Sequence, residues 1–379
     1  MIPRIYDNLD KYLKKGKVLV IFGPRQVGKT TLVKNFLAKT SLKYRYDTGE
    51  DFRIAEIFSS NNPDKISEYA SGYELVVIDE AQKVQNIGTG LKLLVDSHPQ
   101  LMVIATGSSS FDLAGNIGEP LTGRKRTLTM FPLSHLELSQ IYNKFELKEK
   151  LEDLLIFGAY PEVVTASSKQ EKGLILDELA HSYLLKDIIA FDKIKNSRVI
   201  FDLLRLLAFQ TGSQVSLSEI AKNIGVAGKT VGRYLDILEK SFVIYSLSGF
   251  SRNLRKEIVK KNKYYFYDNG IRNALISNFN PLHIRNDKGQ LWENFLFNER
   301  LRKNKYCEIF HNLYFWRTWD QKEIDLVEER EGKLFGYEFK FGNKKPKAPA
   351  LWSKTYPEAE YEVINRENYL DFVGCNQEG

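Results

Sequence analysis

KVLVIFGPRQVGKTTL, residues 17–32, decides how the front of this chain folds. Val18 to Phe22 is an uncharged, largely β-branched run, the pattern of a strand covered on both faces. It leads straight into Gly23-Pro-Arg-Gln-Val-Gly28-Lys29-Thr30, and the helix-forming stretch TTLVKNFLAK follows. A G-x-x-x-x-G-K-T loop between a strand and a helix is the context that gives this motif its meaning. Gly23 and Gly28 let the backbone curl so that successive N–H groups point at phosphate oxygens. Lys29 is expected to bridge the β- and γ-phosphates, and the Thr30 hydroxyl to ligate Mg²⁺. The reading assigns ATP and Mg²⁺ to a cradle of Gly23, Pro24, Arg25, Gln26, Val27, Gly28, Lys29, Thr30 and Thr31.

A second motif, ELVVIDEAQKV, supplies the partner chemistry. Leu75 to Ile78 is again a continuous apolar run. It is expected to deliver Asp79 to the Mg²⁺ and Glu80 to the attacking water. The next apolar run, LMVIATGSSS, ends in a polar cluster and is expected to bring Ser108 or Thr106 near the γ-phosphate, although such residues also cap helices. Arg124 lies just before the predicted strand Thr127 to Met130.

At 379 residues the chain is long enough for two or three domains, and 43% hydrophobic with 12% aromatic content supports real cores. The longest apolar runs fall far short of the roughly 20 residues of a membrane span, and no charged-then-apolar leader opens the sequence. Two cysteines, Cys307 and Cys375, are too few for a disulfide framework. These features predict a soluble, cytoplasmic protein with no membrane partner. The net charge of +7 is concentrated: Gly228 to Lys263 holds nine Lys/Arg against three acids. A local excess of that kind suggests a polyanionic partner, the alternative being solvated charge on exposed faces.

FGPRQVGKTTL, VVIDEAQKV, ATGSSS, LTGRKRTLTMFPLSHLE and FGAYPEVV together resemble a widespread prokaryotic family of AAA+-like ATPases. Its members join a P-loop ATPase to a C-terminal domain related to PD-(D/E)xK nucleases. The resemblance covers nearly the whole chain. It implies that Arg124 acts as an arginine finger on a neighbouring subunit's ATP, and hence a ring-like homo-oligomer.

Apolar spacing of three and four from about Lys148 to Ser197 predicts helices, placed where an AAA+-like core carries a helical lid. VSLSEIAKNIGVAGKTVGRYLDILEKSFVIYSL then predicts helix, a turn at Gly225-Val-Ala, and a second helix from about Lys229 to Lys240. Val231, Leu235 and Leu238 would face inward, leaving Lys229, Thr230 and Arg233 outward. A hairpin with a basic tip, holding Arg252, Arg255 and Lys256, follows. This is a winged helix-turn-helix pattern, with those six residues as predicted nucleic-acid contacts. Such modules also dock proteins.

The last feature is EIDLVEEREGKLFGYEFKFG, residues 323–342. With Glu331-Gly332 as a two-residue turn, Asp325 lies opposite Glu338 and Glu323 opposite Lys340. Opposed side chains have Cβ atoms about 5 Å apart, so two carboxylates there repel unless a cation or proton intervenes. A divalent metal is the natural answer. The D…E-x-K pattern is that of the PD-(D/E)xK superfamily: Asp325 and Glu338 would hold Mg²⁺ or Mn²⁺ and Lys340 would activate water. The superfamily resemblance adds Glu293, on an upstream helix, as a further ligand. Beyond the hairpin, GNKKPKAPALWSK offers four lysines and no acid as a phosphate track.

The expected organisation is an α/β P-loop, AAA+-like core (1–140), a helical lid (141–200), a winged helix-turn-helix (201–268) and a PD-(D/E)xK nuclease-like domain (269–379). The expected function is ATP hydrolysis coupled to engaging DNA, with branched DNA such as Holliday junctions preferred and metal-dependent cleavage open. The alternative is an ATP-switched DNA- or protein-binding regulator whose nuclease-like domain does not cut.

Overall fold

The computed structural model describes residues 2–108, 120–183, 197–250 and 261–374. Its first unit is a five-stranded, all-parallel sheet of β1 (Val18–Phe22), β2 (Tyr44–Thr48), β3 (Leu75–Asp79), β4 (Met102–Gly107) and β5 (Lys125–Thr129). The strand order is β2-β3-β4-β1-β5, so β4 lies between the strand of the glycine-rich loop and the strand ending in Asp79. Apolar residues alternate between two cores, because successive strand side chains point to opposite faces. Leu19, Ile21, Val77 and Ile104 join the main core. Val18, Val20, Val76, Ile78 and Val103 pack under helices Phe52–Ser59, Pro63–Ala70 and Ile87–Ser97.

The following region is helical as far as residue 183, as its spacing predicted; the rest of that prediction, 184–196, lies outside the described residues. Helices Lys144–Phe157, Pro161–Thr165 and Lys169–Glu178 come first. The longest of them starts at a capping box in which Asn143 accepts from the Phe145 and Glu146 N–H groups. Helix Asn269–Leu275 also packs here: Asn269 donates to the Leu155 carbonyl at 3.2 Å and Asn273 to that of Ile156 at 2.8 Å. Helices Ser197–Phe209, Leu217–Ile224 and Gly228–Lys240 precede the antiparallel pair β6 (Ile244–Leu247) and β7 (Lys263–Phe266). Gly225 closes the middle helix in the left-handed conformation, where the turn was predicted.

The last unit is a four-stranded mixed sheet in the order β11-β10-β9-β8. β8 (Asn312–Arg317), β9 (Glu323–Arg330) and β10 (Lys333–Phe339) are antiparallel, and β11 (Glu360–Ile364) runs parallel to β10. Helix Lys288–Tyr306 lies on one face, where Trp292, Phe295 and Leu296 meet Phe315, Leu326, Tyr337 and Phe339 in the main core. Trp316, Ile324, Val327, Leu334 and Trp352 fill the other face. Ile324 and Val327 share that face because β9 carries a bulge. Tyr314 pairs Val327 and Trp316 pairs Ile324, so Asp325 and Leu326 together oppose Phe315. The hairpin unit is stitched to this sheet: the Phe250 N–H donates to the Phe315 carbonyl at 2.6 Å, and the Phe315 N–H to that of Ser248 at 3.0 Å.

No helix among the described residues is long and apolar enough to cross a membrane. Cys375 lies outside the described residues.

Candidate functional site

The glycine-rich loop sits where the parallel strands end. At Gly23, φ is +150° and an added Cβ would lie 1.9 Å from the Met130 carbonyl oxygen, so only glycine fits. Helix Lys29–Leu37 starts at Gly28, aiming its first N–H groups into the loop. Lys29 is buried, its ammonium donating to the Gly23 and Pro24 carbonyls at 2.9 and 2.7 Å. Thr30 Oγ1 donates to Asp79 Oδ2 at 2.8 Å, joining the helix after β1 to the end of β3 over the intervening β4. The two predicted metal ligands of the ATP site are thus already in contact, and these donors fit a hard divalent cation.

Asp79 has further partners. Tyr46 donates its hydroxyl to Oδ2 at 2.9 Å, while Thr106 donates to Oδ1 and accepts the Glu80 N–H at 3.1 Å. Burial first, and then the hydrogen bond to Asp79, push the Tyr46 hydroxyl upward. Of the two alternatives at the end of β4, Thr106 touches Asp79; Ser108 is buried two residues on. Glu80 has a left-handed backbone (φ 49°), and its carboxylate accepts from Gln82 Nε2 at 2.5 Å. Arg124 is not at this site. The Val18 N–H donates to its carbonyl, placing it where β1 begins, about 13 Å of strand from the loop. Its guanidinium pairs with Asp96 at 2.5 Å and is 41% exposed.

A second polar cluster lies on the C-terminal sheet. β9 and β10 keep the expected register from Lys333↔Arg330 to Tyr337↔Leu326, and the ladder ends one pair short of Asp325 and Glu338. The bulge has re-aimed Asp325, whose Oδ2 accepts the Phe339 N–H at 2.8 Å. Glu338 pairs with Lys340 at 2.5 Å, and its Oε2 is buried with no hydrogen-bond partner among the described residues. Glu293, from helix Lys288–Tyr306, joins the same cluster as expected. Burial raises both Glu293 and Glu338 to about 7; the Asp325 charge adds to this, while neighbouring ammonium groups oppose it.

The sequence reading places a divalent cation among these carboxylates; the structure adds a cation of the chain itself. Lys263 of β7, counted with the basic surface in the sequence, instead enters the cluster at 1% side-chain exposure. Its Nζ lies 3.1 Å from Glu293, 4.0 Å from Asp325, and in closest contact with Glu323. Burial opposes its charge, but Glu293, Asp325 and Glu323 outweigh it and raise its pKa. Among the described residues no group of three or more His, Cys, Asp and Glu side chains is arranged to hold a metal ion. The repulsion between the carboxylates is relieved by ammonium groups of the chain itself.

On helix Gly228–Lys240, Val231, Leu235 and Leu238 are buried, Lys229 and Arg233 are exposed, and Thr230 is half-buried, as predicted. Lys240 is drawn into an ion pair with Asp236 at 2.9 Å. Arg252, Arg255 and Lys256 lie outside the described residues.

Residues 15–139 match the family described as AAA domain. The front of the chain is thus similar to an AAA-type P-loop ATPase domain. Residues 148–282 match "Domain of unknown function (DUF8612)" and residues 288–373 "Domain of unknown function (DUF4143)". The first of these spans takes in the helices that follow the parallel sheet, the helix–hairpin unit and helix Asn269–Leu275. An uncharacterized protein of Mycobacterium tuberculosis is 28% identical over 88% of this chain and 72% of its own length. One of Methanocaldococcus jannaschii is 26% identical over 99% and 86%. One of Haemophilus influenzae is 26% identical over 68% and 63%.

Three residues of these two clusters and the loop's support escaped the sequence. Tyr46 sits in a strand with no motif around it. Arg4 precedes every motif, yet it donates to the Val27 carbonyl of the loop at 3.0 Å and to that of Phe131 at 2.7 Å. Lys263 looked like one more basic residue of a basic stretch.

Proposed function

We propose that this chain hydrolyses ATP to control its engagement with DNA, acting as a homo-oligomer. The observation that carries the reading is the contact of Thr30 with Asp79, backed by Thr106, at the mouth of the glycine-rich loop of an AAA-type domain. Lys29 exchanges its two carbonyl partners for phosphate oxygens, and Glu80 takes the proton of the attacking water. Mg²⁺, when bound, neutralises phosphate charge beside Thr30 and Asp79. Arg124, exposed at the far edge of the sheet, completes a neighbouring copy's site in a ring.

The helix–hairpin unit is a winged helix-turn-helix that offers Lys229, Thr230 and Arg233 to DNA. An upstream helix carrying Glu293, packed on a hairpin carrying Asp325, Glu338 and Lys340, supports kinship of the C-terminal domain with PD-(D/E)xK nucleases. Branched DNA is the preferred partner on that kinship. The position of Lys263 favours a second reading, in which the nuclease-like domain serves as a docking surface and does not cut. The test is binding and cleavage of duplex, single-stranded, forked and four-way DNA with Mg²⁺, with and without ATP. An ATPase rate that no DNA changes, with no DNA retained at low salt, would remove DNA from the proposal.

A further inference from the structure

The carboxylate cluster is assembled from two parts of the chain that no sequence motif connects. Glu323 and Asp325 come from β9, Glu338 from β10 and Glu293 from helix Lys288–Tyr306. The helix–hairpin unit covers them. Tyr265 of β7 donates its hydroxyl to Glu293 at 2.7 Å. Gly212 (φ +74°) lies so close that an added Cβ would stand 2.9 Å from the Glu293 carboxylate. Lys263 enters between Glu293, Glu323 and Asp325, its ammonium 5.5 Å from the centre of the Phe315 ring.

Each carboxylate already has a partner from the chain. Glu293 has Lys263 and Tyr265, Glu323 has Lys263 and Arg317 (3.1 Å), Asp325 has Lys263 and the Phe339 N–H, and Glu338 has Lys340. A hard divalent ion needs about six oxygen ligands free of competing cations, and it would be repelled by an ammonium in its own coordination sphere. Lys263 is held against the cluster, with its side chain 1% exposed. Its backbone pairs with Leu247 in β6 and bridges Gln214, while residues 248–250 are hydrogen-bonded to β8.

We propose that Lys263 is the resident cation of this cluster, and that the helix–hairpin unit thereby holds a nuclease-like site closed to divalent metal. The proposal rests on the nuclease-like reading only for the identity of the ion displaced. Metal entry requires the Lys263 ammonium to leave the cluster, by its side chain or with the unit that carries it.

The experiment is Mn²⁺ titration of the nucleotide-free full chain, followed by electron paramagnetic resonance and by the thermal midpoint in EDTA and in Mn²⁺. Wild type is expected to take up no ion that Asp325→Asn removes, and to show the same midpoint with and without Mn²⁺. Lys263→Ala is expected to lose midpoint in EDTA, to regain it in Mn²⁺, and to bind one additional ion per chain. Adding Asp325→Asn to Lys263→Ala should abolish that ion. If Lys263→Ala alone folds poorly, Lys263→Ala/Glu323→Gln relieves the excess charge and should still bind the ion. An Asp325-dependent ion in wild type would overturn the lock while sustaining the nuclease-like reading. No added ion in either Lys263 variant would overturn both.

Discussion

Replacing Arg4 with Met tests how the loop is held. Arg4 is buried, donates to the Val27 and Phe131 carbonyls, and pairs with Glu137 at 2.8 Å. Glu137 is fully buried. Removing one partner of a buried ion pair costs about 3–5 kcal/mol, because the other charge is stranded. Glu137 retains three donors, the Ser134 N–H and hydroxyl at 2.9 and 3.0 Å and the Ile5 N–H at 3.1 Å. The lower end, about 3 kcal/mol, is therefore expected, a drop in thermal midpoint of about 4 °C for a chain of this length. The freed Val27 carbonyl leaves the loop less ordered before nucleotide arrives. One hydrogen bond to a charged donor, about 1.5 kcal/mol, corresponds to roughly tenfold weaker ATP binding. Thermal denaturation and titration with a fluorescent ATP analogue measure the two effects. Arg4→Met/Glu137→Gln should recover part of the stability and none of the affinity. An unchanged midpoint in Arg4→Met would refute the stranded-charge argument, and unchanged affinity would refute the loop anchor.

Glu80→Gln should bind ATP and fail to turn it over in a phosphate-release assay; full turnover would remove Glu80 from its role. Arg124→Ala should keep ATP affinity and lose turnover, with partial recovery on mixing with Glu80→Gln subunits, whereas an active monomeric variant would exclude action in trans. Reversing charge at Lys229 and Arg233 should weaken DNA binding and flatten its salt dependence, read by fluorescence anisotropy across salt; unaltered binding would make the unit a protein-docking module. His135 is buried between the Phe295 and Tyr369 rings, with Glu299 at 3.8 Å and Arg302 nearby, and burial pushes its pKa down. Below the unfolded value near 6.5 the unfolded chain gains a proton that the folded chain refuses, so stability falls with falling pH, by up to about 1.4 kcal/mol per unit. His135→Phe should flatten that slope in denaturation midpoints between pH 5 and 7, and an unchanged slope would exonerate the histidine.

Contiguous stretches decided whatever local geometry alone decides. The glycine-rich loop, β1, the Asp79 strand, the turn at Gly225 and the buried face of helix Gly228–Lys240 were all legible, because each depends on neighbours within a few residues. The hairpin register was legible too, since a two-residue turn fixes it up to Tyr337↔Leu326. What followed was not: the bulge opposite Phe315 arises from pairing with a third strand, and it changed how Asp325 is presented. Lys263 and Arg4 could not be assigned from their surroundings in sequence. One meets carboxylates 30 to 62 positions away, and the other reaches a carbonyl 127 positions away. A charged side chain far from its partners reads as surface until the fold buries it. The carboxylates buried with it must be neutralised, and only the tertiary structure determines whether a metal ion or the chain's own ammonium does so.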